Sequence, residues 1–422
     1  GYYGVTTQAA GFSGVLANGA GVLNVTKNGS GTQSFYGLNT YTGVTNIAQG
    51  TLAITDLPAV SGPAATTSLT TTSGSATATV ASAAGLAVGQ VLAPTANVPA
   101  GTTITAISGT TIYLSAAATG TGSLNTAIGP VSSLGWSSSA AGNLILGSAG
   151  YTGTLQYTGA NSTIFRPTQT PSVVTDRLFS LGGSGAIDSS GQYGNNVLAT
   201  GAQNNAALVF GNTGNIGFAA AGSMTLTLQG NSTGDNEIDL KLTDNTDGSP
   251  LSLVKAGAGL WILGGSQNTY SGITSVNAGV LRAQDGAGLS SNSNLYLNGG
   301  TFESSGTFTR SLGAGAGQIM WALGGNGGFA ASTSKLTVNL GNGAPLYWGV
   351  GGLGNGTGQL LLGSSTSLAE TEIRNPIVLG SGYTTTRTVA VTDNSTTTTD
   401  YSTISGVISG SASAGIAALT IS

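Results

Sequence analysis

One segment gathers five of the chain's 14 acidic residues, side chains that could carry acid–base or metal chemistry. The stretch GDNEIDLKLTDNTDGSP at 234–250 contains Asp235, Glu237, Asp239, Asp244 and Asp247. Calcium binds through several carboxylate and carbonyl oxygens, and DNTDG partly matches a calcium-binding loop. The spacing is not that of the twelve-residue loop, and no glutamate closes it. Because Asp and Asn also form turns unaided, we favour turns and keep calcium, through Asp235, Asp244 and Asp247, as the alternative.

Glu237 and Asp239 are two residues apart, so a strand would place both carboxylates on one face. Retaining glycosidases use two carboxyl groups about 5–5.5 Å apart, although an exposed acidic strand gives the same pattern without chemistry. The chain has no His and no Cys, which removes histidine bases, cysteine nucleophiles and zinc sites built from either residue. A lyase would also need basic residues near its substrate. We therefore predict no enzyme activity, no catalytic residue and no cofactor.

Aromatic side chains could instead form a platform on which sugars stack. The candidates are Trp136, Trp261, Trp321, Trp348, Tyr2, Tyr3, Tyr36, Tyr41 and Tyr270. Such rings more often fill a core, cap it or lie at an interface, and we favour that interpretation. Asp176 and Arg177 are expected to form an ion pair or a corner contact with a structural role.

Composition indicates an all-β protein. Of 422 residues 71 are Gly, 39% are hydrophobic and only 6% are charged, with a net charge of −4. Disordered chains are usually poorer in aliphatic residues and more highly charged. No run of about 18 apolar residues occurs, so we predict no membrane insertion. The absence of basic clusters predicts no nucleic-acid partner.

Short alternating segments supply the elements. TLQY (154–157), MTLTLQG (224–230), NLYLNGG (294–300) and KLTVNLG (335–341) each place apolar residues on one face, and turn-forming residues follow closely. Period-2 alternation of this kind predicts short strands and tight turns, and we find no amphipathic helix.

Two nearly identical stretches show how these strands are arranged. NTYTGVTNIAQGTL spans 39–52 and NTYSGITSVNAGVL spans 268–281; Lys27 and Lys255 precede them, each followed by glycines two and four residues later. A strand of four or five residues cannot bury its face alone, so like neighbours must stack on it. The repeat therefore predicts a β-solenoid.

Within the first copy the spacing assigns a side to each residue. We expect Gly43 and Gly50 at corners, and we expect Val44, Ile47, Leu52 and Ile54 to point inward. The Thr and Asn residues then take outward or corner positions, where Asn can form ladders between coils.

KNGSGTQSFYGLNTYTGVTNIAQGTL and KAGAGLWILGGSQNTYSGITSVNAGVL resemble the autotransporter-associated β-strand repeat of bacterial autotransporter passengers and large surface proteins. With similar segments elsewhere, the resemblance covers most of residues 11–60 and 130–422. It implies a right-handed parallel β-helix that is displayed on the cell surface or released outside the cell. It implies no catalytic residues, because the motif consists of corner and core positions.

Residues 62–131 follow a different, Thr-rich pattern that resembles small β modules inserted in bacterial surface and fibre proteins. We predict coils at 1–61, an inserted β module at 62–131, and the main solenoid at 132–422 with the second motif at 255–281. The alternative is that the central segment forms irregular coils of the same helix.

The two ends of the chain are alike in sequence. ISGVISGSASAGIAALTIS (404–422) has the pattern of FSGVLANGAGVLNVT (12–26), and the chain begins at Gly1 without Met or signal peptide. We expect a mature or cropped piece whose ends are covered by a tandem neighbour or another subunit. The predicted stacking residues are Gly11, Phe12, Val15, Leu23, Val25, Ile404, Val407, Ile416, Leu419 and Ile421.

These features predict a structural extracellular protein. It would be the β-solenoid building block of a cell-surface or secreted fibre, joined head-to-tail or as tandem repeats of one long chain, with itself as partner. The alternative is an adhesin that binds cell-surface glycans, and a polysaccharide-degrading enzyme is less favoured.

Overall fold

The computed structural model describes residues 10–36, 38–59, 66–159, 172–191, 206–265, 267–349, 351–380, 386–410 and 418–422. Strands dominate these residues, and the helical pieces among them are two 3₁₀ turns, Ala141–Asn143 and Leu340–Asn342. In the same residues no helix is long and apolar enough to cross a membrane.

The strands follow one another in chain order. The first five are β1 (Ala10–Phe12), β2 (Val25–Lys27), β3 (Thr32–Phe35), β4 (Thr45–Ile47) and β5 (Gly50–Ile54). The next six are β6 (Thr66–Thr71), β7 (Thr77–Val80), β8 (Val91–Leu92), β9 (Ile104–Ser108), β10 (Thr111–Leu114) and β11 (Gly122–Gly129). After them come β12 (Leu144–Leu146), β13 (Gly153–Tyr157), β14 (Val173–Thr175), β15 (Ser180–Leu181), β16 (Gly185–Ser189), β17 (Leu208–Phe210) and β18 (Gly217–Phe218).

The remaining strands belong to the second half. They begin with β19 (Met224–Gln229), β20 (Glu237–Ile238), β21 (Leu251–Lys255), β22 (Leu260–Leu263), β23 (Thr274–Val276), β24 (Val280–Ala283), β25 (Leu295–Leu297), β26 (Thr301–Phe308) and β27 (Ile319–Trp321). They end with β28 (Gly327–Val338), β29 (Leu346–Tyr347), β30 (Leu360–Leu362), β31 (Thr371–Ile373), β32 (Ile377–Val378), β33 (Thr386–Val391), β34 (Ser402–Ile404), β35 (Ile408–Ser409) and β36 (Ala418–Ile421).

The chain divides into two compact units, of which the first comprises Gly1–Gly185, Ser190–Asn212 and Ile216–Ala220. In this unit β1, β3, β5 and β13 form one parallel run, and β2, β4, β12, β15 and β18 form another. Neighbouring strands in each run come from successive turns of the chain. Their side chains stack in register, as Leu52 does on Leu155.

The second unit comprises Ala186–Ser189, Thr213–Asn215 and Ala221–Ser422. Here β19, β21, β23, β25 and β27 stack in parallel, and β20, β22, β24, β26, β28, β30, β33 and β36 form a longer parallel sheet. A third face consists of β29, β32 and β35. The interior is a column of in-register side chains such as Leu253, Thr274, Leu295 and Ile319, all fully buried. The predicted fold class, an all-β parallel solenoid, is confirmed.

Strands β6 to β11 pair differently. Their ladders are antiparallel and follow the order β8-β11-β6-β7-β10-β9. An antiparallel bridge from Val91 to Thr103 joins the two outer strands, so the sheet closes into a small barrel. Its own core consists of Leu69, Ala78, Val80, Leu92, Val98, Ile104, Ile112, Leu114 and Ile128. The barrel lies within the predicted module, whose boundaries at 62 and 131 stay a prediction.

One expectation about the repeat is wrong. Ile47, Leu52 and Ile54 are fully buried as expected, but Val44 is only half-buried, whereas the next residue, Thr45, is 1% exposed. The second copy repeats this reversal, because Ile273 is 50% exposed and Thr274 is fully buried. The threonine points inward because its hydroxyl bonds a buried tyrosine hydroxyl, which removes the cost of burying it.

Candidate functional site

Each of the three predicted calcium ligands is bonded to other groups of the fold. Asp244 Oδ1 accepts the N–H groups of Leu251 and Ser271 at 3.0 and 2.8 Å. Asp247 accepts the N–H groups of Gly222 and Ser249. Asp235, with 74% of its side chain exposed, meets Arg282 at 3.3 Å. Among the described residues no group of three metal-ligating side chains could hold an ion.

Glu237 and Asp239 do share a face. A Cβ on Gly264 of the next coil would collide with Glu237 Oε1 and Asp239 Oδ1, so this glycine leaves the space in which the two carboxylates meet. Burial, followed by the charge of Asp239 and the hydrogen bond to it, raises the pKa of Glu237 to about 7. The Glu237 carboxyl is therefore partly protonated near neutral pH and can donate to Asp239. Because the two groups bond each other, they do not flank a space for a glycosidic bond as a catalytic pair would.

A buried ion pair lies beside these carboxylates. Arg282 Nε donates to Glu303 Oε1 at 2.6 Å, and Glu303 is fully buried. Its other oxygen accepts the hydroxyls of Ser364 and Thr366 at 2.9 and 2.7 Å. Asp235, Arg282 and Glu303 are therefore all paired within the fold. The cluster joins the strands that hold Arg282 and Glu303 to the loop that holds Ser364 and Thr366.

The repeat motif forms a second constellation, centred on a lysine. Lys255 is fully buried, and its ammonium donates to the carbonyls of Ala256, Gly257 and Ala278 at 2.8–3.0 Å. Three donors thus meet three acceptors, one of them in the next coil. Burial lowers the pKa of Lys255 to about 7. This lysine fastens a corner and the coil that follows it.

The first copy repeats this contact in a more open setting. Lys27 donates to the carbonyls of Asn28, Gly29 and Gln49, the last at 3.0 Å. The side chain is only half-buried, and burial lowers its pKa. The lysine makes equivalent hydrogen bonds in both copies, but its side chain is more exposed to solvent in the first copy.

The asparagine that opens each motif bonds both neighbouring coils. Asn268 Oδ1 accepts the N–H of Leu242 at 2.8 Å, and its Nδ2 donates to Gly288 O at 2.7 Å. Asn39 does the same with Leu16 and Ser133, at 2.8 and 2.7 Å. These two side chains bridge backbone to backbone, whereas Asn277 of the second motif accepts from Asn298 Nδ2 at 3.2 Å, an Asn-on-Asn contact of the expected kind.

Close contact with the preceding coil explains why the motif has glycine at these positions. A Cβ on Gly43 would collide with Leu23 O, and one on Gly272 would collide with Leu251 O, the equivalent carbonyl. Both positions therefore require glycine because the preceding coil passes directly beneath them. The same glycine in both copies marks the same inter-coil approach.

The large aromatic side chains are mostly internal. Trp136, Trp261, Trp321, Trp348, Tyr41 and Tyr270 are at most 2% exposed, while Tyr36 is 50% exposed. Tyr2 and Tyr3 lie outside the described residues. Buried rings cannot stack on sugars, so these six fill the core. Arg177 is also buried and donates to Ser137 Oγ and Gly135 O at 2.7 Å, a structural role.

The predicted stacking residues fall into two groups. Gly11, Phe12, Leu23 and Val25 line one cavity of about 430 Å³ in the first coils. Val15 is half-buried and lies within 3.5 Å of the Cβ position of Gly101. Ile404, Leu419 and Ile421 lie on β34 and β36, and Val407 between β34 and β35 is 71% exposed. Ile416 lies outside the described residues.

The sequence interpretation missed the polar interior of the motif. Asn39, Thr45, Asn268 and Thr274 are all buried; each Asn bonds the backbone of another coil, and each Thr bonds the Tyr four residues before it. The signal was present, because the same polar residue stands at the same place in both copies. A residue that must be identical between copies is more often held by specific bonds than exposed to water.

The repeat motifs and part of the chain are similar to known proteins. Residues 25–54 and 253–283 match the passenger-associated-transport-repeat family, and these are the two coils described above. The chain is 36% identical over 160 residues to "Adhesin BmaC autotransporter" of Brucella suis biovar 1 (strain 1330). The aligned stretch covers 37% of this chain and 4% of that protein. No solved structure matches the chain significantly.

Fold and motif together define a class: a parallel β-solenoid that carries passenger-associated-transport repeats. Its two repeats and its partial match to an autotransporter adhesin make the chain similar to autotransporter passengers over part of its length.

Proposed function

We propose that this chain is a structural segment of an adhesin-like passenger displayed outside the cell, and that it has no catalytic role. Its task is to hold a long stack of coils rigid so that binding surfaces stand away from the cell. In its finer form the proposal adds that the solenoid continues into further coils or copies as a fibre.

One observation carries the proposal. The residues that repeat between the two motifs serve contacts between coils: Asn268 bonds the coils on both sides, and Lys255 bonds the coil that follows. Catalytic or ligand-binding residues would instead converge on a cleft. The named relative is an autotransporter adhesin, which supports the same location and role.

The test compares two asparagines in the full chain. Asn268→Ala leaves the buried Leu242 N–H and Gly288 O without partners, so we expect a loss of about 2–4 kcal/mol in the free energy of unfolding and faster proteolysis. Asn298→Ala, at an exposed side chain bonded to Asn277, is the control and should change little.

Location is tested separately. Antibodies against the chain should label intact producing cells or their medium, and labelling that needs permeabilised cells would contradict an extracellular role. Equal stability of the two asparagine variants would instead contradict the structural role of the motif.

A specific surface favours glycan adhesion as a second candidate. Ser123, Thr70, Thr79, Thr111 and Ser108 face one another across five neighbouring barrel strands. Tyr113, paired with Thr77 in the adjacent row, is 42% exposed. No charged residue occurs from 57 to 165. Hydroxyls at a strand spacing of about 4.8 Å beside an exposed ring suit a neutral polysaccharide.

Tyr113→Ala tests this surface. We expect binding of neutral glycans on an array to fall about tenfold or more, while Tyr151→Ala, at a 54% exposed tyrosine outside the barrel, should not change it. Equal binding by both variants would eliminate the barrel face, and a preference for acidic glycans would contradict a neutral ligand.

A further inference from the structure

Asparagines followed by glycine can react with their own backbone, because glycine has no side chain to keep its nitrogen away from the asparagine amide. The pairs in this chain are Asn18–Gly19, Asn28–Gly29, Asn298–Gly299, Asn326–Gly327, Asn342–Gly343 and Asn355–Gly356. Whether a pair reacts depends on what its amide and its glycine N–H already bond.

In five of these pairs one of the two reacting groups bonds another residue. The amide oxygens of Asn18, Asn326 and Asn355 accept backbone N–H groups from elsewhere in the chain at 2.8–3.0 Å. The N–H groups of Gly299 and Gly343 donate to carbonyls of other residues at 2.7 and 3.2 Å. A group held in this way must give up a hydrogen bond before it can react.

The pair Asn28–Gly29 is arranged differently. Gly29 N donates to Oδ1 of Asn28 itself at 2.9 Å, so the amide lies beside the nitrogen that would attack it. The ammonium of Lys27 donates to Asn28 O, the carbonyl of the same peptide group, at 3.1 Å. When Gly29 N loses its proton, negative charge spreads onto this oxygen, where the ammonium stabilises it. The corner therefore holds the nucleophile, the amide and a cation together.

We propose that Asn28 is a site of spontaneous deamidation, assisted by Lys27. Gly29 N gives its proton to a solvent base and forms a bond to Cγ of Asn28. The bond from Cγ to Nδ2 then breaks, and the nitrogen leaves as ammonia with a proton from water, which gives a cyclic imide. Water opens the imide at either carbonyl. The products are aspartate and isoaspartate, in which the main chain runs through the side-chain carbon.

This geometry does not require an open corner. In the second copy a coil lies against the corresponding corner, and it is bonded by the N–H groups of Ala256, Gly259 and Leu260. The counterpart of Gly29 is Gly257, which is not one of these three donors and stays half-buried. A coil that lay against the first copy in the same way would leave the Gly29 N–H with its own asparagine and within reach of water.

The experiment follows the full chain by peptide mapping during incubation at mildly alkaline pH, with digestion in acid so that the work-up adds no deamidation. Loss of ammonia marks the imide, and exchange of ammonia for water marks the two acids, which electron-transfer fragmentation distinguishes. In the folded wild type Asn28 should convert about tenfold faster than Asn298 or more. In urea the two rates should converge, because the hydrogen bonds that separate them are lost.

Lys27→Met distinguishes stabilisation of charge from flexibility of the corner. Loss of the ammonium should slow the conversion of Asn28 about tenfold, whereas a corner that was merely loosened would react faster. Lys335→Met, at a side chain that is 46% exposed and bonded to Glu370 and Glu372, is the matched control. It should leave the rate at Asn28 unchanged.

Equal rates at Asn28 and Asn298 in the folded chain would overturn the site. A Lys27→Met rate equal to or above that of the wild type would contradict the part played by the lysine. Neither result changes the stability expected of the Asn268 variant, so this proposal and the structural role of the motif fail separately.

Discussion

At the scale of single residues, Lys27 and Lys255 show how one repeat position depends on its surroundings. Both ammonium groups donate to three carbonyls at the same places, but Lys255 is fully buried whereas Lys27 is half-buried. A buried acceptor that loses its donor costs the full desolvation of that group, while an exposed one turns to water. The same substitution therefore has different effects in the two copies.

Lys255→Met should lower the free energy of unfolding by about 1–3 kcal/mol, because three partly buried carbonyls lose their donor. Lys27→Met should cost less than about 1 kcal/mol, since water reaches its carbonyls. Chemical denaturation of both variants measures the difference, and equal losses would refute the assignment.

The lysine also predicts a pH dependence. The pKa of Lys255 is about 7 in the folded protein, whereas a solvated lysine has its ordinary pKa of 10.5, so the unfolded chain binds more protons between these values. The free energy of unfolding should therefore rise with pH from about 7 to 10.5 in the wild type, relative to Lys255→Met. Parallel pH profiles for the two proteins would show that Lys255 keeps an ordinary pKa.

Glu237 predicts the opposite pH dependence, a free energy of unfolding that falls as the pH rises from about 4.5 to 7. Its pKa of about 7 lies above the ordinary 4.5, so its favourable contribution is full below pH 4.5 and is lost as the pH rises through 7. Glu237→Gln should remove this loss and be relatively more stable at pH 8 than at pH 4. Asp239→Asn should act in the same direction, because it removes the like charge. Thermal melts across the pH series test both.

At the scale of the elements, the strands are too short to define the solenoid alone. Strand β23 has three residues and is held by β21 on one side and β25 on the other. Its position depends on Gly272, which lies directly against the preceding coil. It also depends on Thr274, whose hydroxyl bonds Tyr270 and Ser293. Spacing between coils is thus set by a few obligatory contacts at the corners.

Gly272→Ala should destabilise the protein by about 3 kcal/mol, near the upper end for overpacking, because its Cβ meets the backbone of Leu251, which cannot move without its strand. Gly142→Ala lies in open space and should change stability little. Denaturation midpoints compare them, and a tolerated alanine at 272 would mean that the coils can separate there.

At the scale of the whole molecule, two kinds of core coexist in one chain. The solenoid buries in-register columns such as Leu253 and Leu295, whereas the barrel closes around its own nine buried residues. The nine core residues of the barrel lie within residues 69–128, so the stability of the barrel should be separable from that of the coils.

Ile112→Ala should cost about 2–4 kcal/mol and raise amide exchange within 66–129 while leaving 251–297 protected. Leu253→Ala, at a fully buried solenoid position, should do the reverse. Exchange mapped by mass spectrometry reads both regions in one experiment, and a common response would mean that barrel and coils unfold as one unit.

The sequence determined the fold class because a doubled motif of short strands can bury its faces only by stacking. It also located the corner glycines, and it excluded catalytic or zinc sites built on His or Cys, since both residues are absent. What it misassigned was the direction of single side chains. The pattern placed Thr45 and Asn39 at outward or corner positions, because hydroxyls and amides are usually exposed, and it placed Val44 inward.

Tertiary structure alone decided these orientations. A polar group becomes an interior residue when its partner lies in another part of the fold, as Ser133 O does for Asn39 at a separation of 94 residues. Lys27 and Lys255 likewise stand in nearly matching sequence motifs, but the two side chains differ in burial. Spacing along a chain reports which residues recur, whereas burial depends on which coil lies against them.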